Sequence, residues 1–130
     1  PGESVTFSSI ELYTKLVYNS LMQIAFATDE IEALCKEQKR ATRALGAESA
    51  KKLQRRLAEL FNADNPAELV AGRPHPLKGD KHGLFALDLH GGARLVFQPS
   101  VQPPPQLKDG GIDWLAVKAI TITALEDYHD

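Results

Sequence analysis

Hydrophobic and polar positions divide the 130-residue chain into segments of different period. "MQIAFA", residues 22–27, is a short apolar run bounded by Thr28 and Asp29, as a buried strand would be. "TDEIEAL" then opens a helix. Thr28 is a good N-cap, acids fill the first turn where the helix dipole favours them, and Ile31 and Leu34 begin an apolar stripe. The pattern continues to Ala44 or Leu45 and stops at Gly46. A second helix, about 47 to 61, carries Ala50, Leu53, Leu57, Leu60 and Phe61 on one side. Lys52, Arg55, Arg56 and Glu59 fall on the other side. The short connection at Gly46 predicts an antiparallel helix hairpin.

The period changes to two in "LFALDLHGGARLVFQP". A three-residue loop, His90-Gly91-Gly92, opposes Leu89 to Ala93, Leu87 to Leu95 and Phe85 to Phe97. All six then share one face, and Asp88 lies across from Arg94 on the other. A two-residue Gly-Gly loop mixes Arg94 with the leucines, so three is expected. "AGRPHPLKGDKHG" before the hairpin is a Pro- and Gly-rich loop, and "SVQPPPQLKDGG" after it is a stiff polar excursion. Residues 117–125 are β-branched and apolar on both faces, as in a central strand. The predicted order is β-α-α-β-β-β. It gives an α+β two-layer sandwich with a helix hairpin on one face of a small mixed sheet.

Composition changes the picture only locally. A chain with 43% hydrophobic and 25% charged residues suits one globular domain. Met22 is the only methionine, so residues 1–21 are expected to be an added or upstream-derived leader and 22–130 the domain proper. Within the leader, Ser8 or Ser9 caps a second helical pattern, "IELYTKLVYNSL". The lone Cys35 cannot form an internal bridge and sits within a helix as a packing residue. With no signal peptide evident, this favours a reducing, cytoplasmic setting. No apolar run approaches the ~18 residues of a membrane span.

The net charge of −2 gives no bulk attraction to nucleic acid. Yet Lys36, Lys39, Arg40, Arg43, Lys51, Lys52, Arg55 and Arg56 are opposed between 36 and 56 only by Glu37 and Glu48. That face is either ordinary solvated helix surface or a grip for a phosphate partner. The four histidines lack metal-ligand spacing, and "KGDKHG" lacks the Gly-Lys-Ser/Thr order of a nucleotide-phosphate loop.

Three places carry candidate chemistry. Lys78 lies in a glycine-flanked loop beside His75, Lys81 and His82, where a rigid sheet can present cations to a phosphate. Arg94, a charge within a strand, either pairs with Asp88 or meets a phosphate with its forked donors. The terminal "EDYHD" is either a frayed end or a proton-transfer group, since Asp127 and His129 share one side of an extended strand and Tyr128 takes the other.

These residues also carry a resemblance. "IEALCKEQKRATRALGAESAKKLQRRLAEL", "GRPHPLKGDKHGLFALDLHGGARLVFQP" and "GGIDWLAVKAITITALEDYHD" together resemble the HigB/RelE family of type II toxin–antitoxin toxins. The specific stretches are the His75-to-Asp80 loop followed by the Phe85–Leu89 strand, the "RLVFQP" strand and the terminal Asp-Tyr-His. The resemblance implies a RelE-like sandwich and a ribosome-dependent endoribonuclease that cuts messenger RNA. It implies no cofactor and no metal, because the RNA's own 2′-hydroxyl is the nucleophile. It assigns Lys78 and Arg94 to the phosphate, His129 and Asp127 to proton transfer, and Tyr128 to the RNA. His75 and Lys81 are secondary RNA contacts. Lys36, Lys39, Arg40, Arg43, Lys52, Arg55 and Arg56 would face ribosomal RNA. The implied partners are messenger RNA on the ribosome and a cognate antitoxin of the helix-turn-helix type. Two other readings stay open: a toxin-fold module that binds without cutting, and a plain RNA-binding protein using the basic helical face.

Overall fold

The computed structural model describes residues 21–127, apart from the Asp127 side chain. The leader's helical pattern, Tyr128 and His129 lie outside the described residues. Five strands form one mixed sheet in the order β1-β5-β4-β3-β2. They are β1 (Gln23–Phe26), β2 (His75–Pro76), β3 (Phe85–Asp88), β4 (Ala93–Pro99) and β5 (Ala119–Asp127). Between β1 and β2 run α1 (Asp29–Lys36), α2 (Gln38–Leu45) and α3 (Ala47–Asn62). The expected α+β sandwich is the observed architecture, with one helix and one short strand more than the sequence suggested.

The core lies between the helices and one sheet face. Cys35, Ala41, Ala50, Leu53 and Leu60 from the helices meet Leu87, Leu95, Phe97, Ile120 and Ile122. Phe85 stacks on Phe97 at 5.1 Å between ring centroids, and Trp114, just before β5, sets its edge against Phe85 at 4.9 Å. Among the described helices none is long and apolar enough to cross a membrane.

The hairpin has the expected three-residue loop and the expected register: Phe85 opposes Phe97, Leu87 opposes Leu95 and Asp88 opposes Arg94. Gly91 takes φ 63°, a left-handed conformation that such a loop requires and that glycine adopts without steric penalty. Ser49 of α3 ties the loop down. Its hydroxyl donates to the His90 carbonyl at 3.1 Å and lies 3.2 Å from the His90 amide.

Other expectations are corrected. β1 is an edge strand, parallel to β5 and half-exposed, rather than a buried one. The first helix is two. Glu37 adopts extended φ −116°, ψ 104° and separates α1 from α2. Both Cys35 and Ala41 are buried. Six residues apart on a straight α-helix they would point about 120° from each other, so one straight helix buries both less well. The break solves this. It removes the amide partner of the Cys35 carbonyl, which instead accepts from the Gln54 side chain of α3 at 3.0 Å. Phe61, expected inward, is half-exposed at the end of α3. Arg56, expected outward, is buried.

Two outcomes follow. Gln54→Ala orphans the Cys35 carbonyl and should lower unfolding free energy in urea titration by about 1 kcal/mol. Burial pushes the Cys35 thiol up from 9.0 to about 11. At pH 8 its alkylation in the native protein should run about 100-fold slower than in the unfolded chain. The raised value favours the folded state fully below the unfolded thiol's pKa. That advantage is lost as pH rises through 9 toward 11.

Candidate functional site

Side chains alternate across a strand, so the sheet face away from the core carries Asp88 of β3 and Arg94 and Val96 of β4. β5 joins this face through an irregularity. The β4–β5 register pairs Phe97 with Ile122 but Val96 with Ala124, leaving Thr123 as an extra residue. Beyond this bulge Leu125 opposes Leu95 and Glu126 opposes Arg94. The result is a charged row across three strands, Asp88–Arg94–Glu126.

Within that row the partners are not those expected. Asp88 turns to the sheet edge, where Arg73 holds it through Nε at 2.8 Å and Nη2 at 3.4 Å. This hydrogen-bonded contact, reinforced by charge attraction, raises the pKa of the exposed Arg73 guanidinium further. Arg94 instead directs Nε (3.2 Å) and Nη2 (3.1 Å) at one oxygen of Glu126. The other Glu126 oxygen lies 3.6 Å from Lys81 Nζ. The Arg94 side chain is only 10% exposed, while Glu126 and Lys81 are 28% and 43% exposed. A guanidinium removed from water to that degree needs an anion beside it.

Lys81 ends a short 3-10 turn, Gly79–Lys81. Lys78 stands exposed at the start of the same turn, where its carbonyl accepts the Lys81 amide at 3.2 Å. His75 sits on β2 opposite Ala86, with Nδ1 donating to the Arg73 carbonyl at 2.7 Å. The backbone of Asp127 pairs with Ala93, so β5 ends beside the hairpin loop. The fold therefore gathers Arg94 and Lys81 around Glu126, with His75 and the Lys78 turn nearby. Its chemistry is that of an anion site built from a fixed guanidinium and a loop ammonium. The described residues contain no grouping of His, Cys, Asp and Glu that could hold a metal ion.

Sequence reasoning did not single out Glu126. A signal was present: buried apolar positions fall at even numbers, Ile120 and Ile122, while the core-facing Leu125 is odd. That phase change marks the bulge that delivers Glu126 to the Arg94 face.

The basic helical face is separate from this row, because the helices cover the opposite side of the sheet. Lys36 is held by Glu32 at 2.6 Å and lies over the Phe26 ring. Arg40 pairs with Glu37 at 3.3 Å. Lys39, Arg43 and Arg55 are exposed and Lys52 is half-exposed. Arg56 does not join them. Its side chain is 10% exposed, pairs with Glu59 at 3.1 Å and packs under Gly72.

No family model matches the sequence, and no curated protein matches it. Solved structures do match. The fold is similar to that of a YoeB/ParE toxin from Agrobacterium tumefaciens, at 15% identity and TM-score 0.52, over 83% of this chain and all (100%) of that one. It is also similar to a chain of the YoeB–YefM complex from Staphylococcus aureus, at 18% identity and TM-score 0.51, over 84% of this chain and 98% of that one.

Gly72 fixes the edge of the site. Its carbonyl accepts from the Asp88 amide at 2.6 Å and its φ is 84°. A Cβ there would meet Arg56 Nη1 at 2.8 Å, Arg56 Cδ at 3.0 Å and the Asp88 carbonyl at 3.1 Å. Gly72→Ala combines left-handed strain with this clash and should cost about 3 kcal/mol in chemical denaturation.

Proposed function

We propose that the chain is the toxin of a type II toxin–antitoxin module, of the HigB/RelE kind, and that it cuts messenger RNA on the ribosome. The observation that carries this reading is the buried Arg94 guanidinium that shares Glu126 with Lys81, on the sheet face opposite the helices. Its fold is similar to that of a YoeB/ParE toxin and of a chain of a YoeB–YefM complex.

Three tasks define the reaction. A base removes the 2′-hydroxyl proton, the oxygen formed attacks the adjacent phosphorus, and an acid protonates the departing 5′ oxygen. Cations stabilise the charge that accumulates on the phosphate in between. Arg94 takes the last role, with Lys81 beside it and Lys78 reaching from the same turn. His129 and Asp127 are assigned the proton transfers and Tyr128 the RNA, because they follow Glu126 directly in the chain. The need for a 2′-hydroxyl confines the activity to RNA. His75 lines the phosphate approach. Lys39, Arg43, Lys52 and Arg55, with the more tethered Lys36 and Arg40, face ribosomal RNA. Arg56 is left out because it is buried. The compartment is the cytoplasm. The partner is an antitoxin, a reading supported by the likeness to a toxin solved in complex; its helix-turn-helix class is part of the proposal.

A toxin-fold module that binds without cutting is the second reading. It is favoured by the carboxylate that already occupies Arg94 and Lys81. One experiment separates the two. The full chain is added to ribosomes translating a defined message, and message ends are mapped. Discrete cuts are expected, and Arg94→Ala and His129→Ala should each slow them by about 100-fold or more. Intact message with the wild type, and no difference among the three proteins, rejects cleavage in favour of binding alone.

A further inference from the structure

Glu126 is placed unusually for a surface acid. One of its oxygens takes two donors from Arg94, and the other faces the Lys81 ammonium. It reaches this position only because the Thr123 bulge shifts β5 by one residue. Asp88, the other carboxylate of the row, is committed to Arg73. A phosphate oxygen offers donors the same geometry as a carboxylate oxygen, and the Glu126 oxygens occupy the point on which both basic groups converge.

The geometry points to Glu126 as a built-in counter-ion of the phosphate site. It is a positioning residue whose carboxylate holds Arg94 and Lys81 around one seat and is displaced by the phosphodiester that takes that seat. The inference rests on the reading of this face as an RNA phosphate site, and it deepens that reading. Two consequences follow. The guanidinium stays aimed in the absence of RNA, which preserves the site at the sheet surface. Anion binding also becomes an exchange of one negative partner for another, so a stray anion gains little from the site.

The test uses the full chain, free of ribosomes, at fixed ionic strength. One arm titrates inorganic phosphate, the other a 2′-O-methylated ribotrinucleotide that cannot be cut. Binding is followed by NMR at the Glu126 carboxylate carbon and Arg94 Nε. In the wild type both signals should move together with one constant. Glu126→Gln keeps an oxygen for Arg94 but removes the charge, and should bind both probes about tenfold more tightly. Arg94→Ala added to Glu126→Gln should abolish that gain. The idea is overturned if neither probe binds, if Glu126→Gln binds no more tightly, or if the gain survives loss of Arg94. It also fails if Arg94 Nε responds in the wild type while the Glu126 carboxylate does not. That wild-type titration decides alone should the variant fail to fold. Tighter binding of the trinucleotide assigns the seat to a chain diester, and equal constants assign it to the free oxyanion; either supports the counter-ion. Counter-ion exchange without message cleavage on ribosomes would reject the nuclease and leave Glu126 in this role, so the two failures are distinguishable.

Discussion

Strand register is the constraint on which the molecule depends. Arg94 can pair with Glu126 only if two registers are set together. The three-residue hairpin loop fixes β3 against β4, and the Thr123 bulge fixes β5 against β4. Either one shifted by a single residue would exchange core and surface faces. Without the bulge, Ile122 opposite Phe97 would bring Leu125 across from Arg94 and send Glu126 to the core side beside Ala93. With it, Leu125 packs against the core and Glu126 meets the guanidinium. A bulge next to a functional group re-aims a side chain in this way while leaving the strand paired on both sides of it.

The core and the site therefore stabilise one register for different reasons. Leu95 and Phe97 are fully buried on one face, and Arg94, just before them in sequence, is nearly so on the other. Burying apolar surface favours the register, but it also removes a cation from water, and the carboxylate on the neighbouring strand offsets that cost. The helix layer adds further constraints. Ser49 holds the hairpin loop from α3, and Arg56 of the same helix supports the Gly72 turn that bonds to Asp88. Of the two cations on Glu126, Arg94 comes from the sheet and Lys81 from a loop.

The parts legible in the sequence were those governed by local rules. The hairpin register could be read because "HGG" restricts the loop and alternation then dictates every pair. The cap at Thr28 was equally local: its side chain accepts from the Ile31 amide at 3.1 Å. What could not be read depended on distant partners. The helix break at Glu37 rests on a glutamine 17 residues later in the chain, Gln54, and on two inward residues, Cys35 and Ala41, that a straight helix would point in different directions. Arg56 has the outward phase of an exposed arginine until Gly72 closes over it. Arg94 and the Lys78–Lys81 turn were visible as candidates, but the choice between Asp88 and Glu126 as partner required the third strand. The terminal Asp127–His129 assignment stays where the sequence put it, as part of the proposal.

On the proposed reading, the self-neutralised site also explains why affinity must come from elsewhere. A seat already filled by Glu126 offers a phosphate little net gain, and one or two backbone phosphates give single-stranded RNA only a weak hold. A surface with the exposed Lys39, Arg43 and Arg55 and the partly buried Lys52 lies on the far side of the sheet. Binding there to a large structured RNA raises the effective concentration of message at the Arg94 face without any new contact to the message itself. The two faces then divide the work between holding and selecting. A chain of net charge −2 can meet RNA because its positive charge is concentrated at these two places rather than spread over the whole surface.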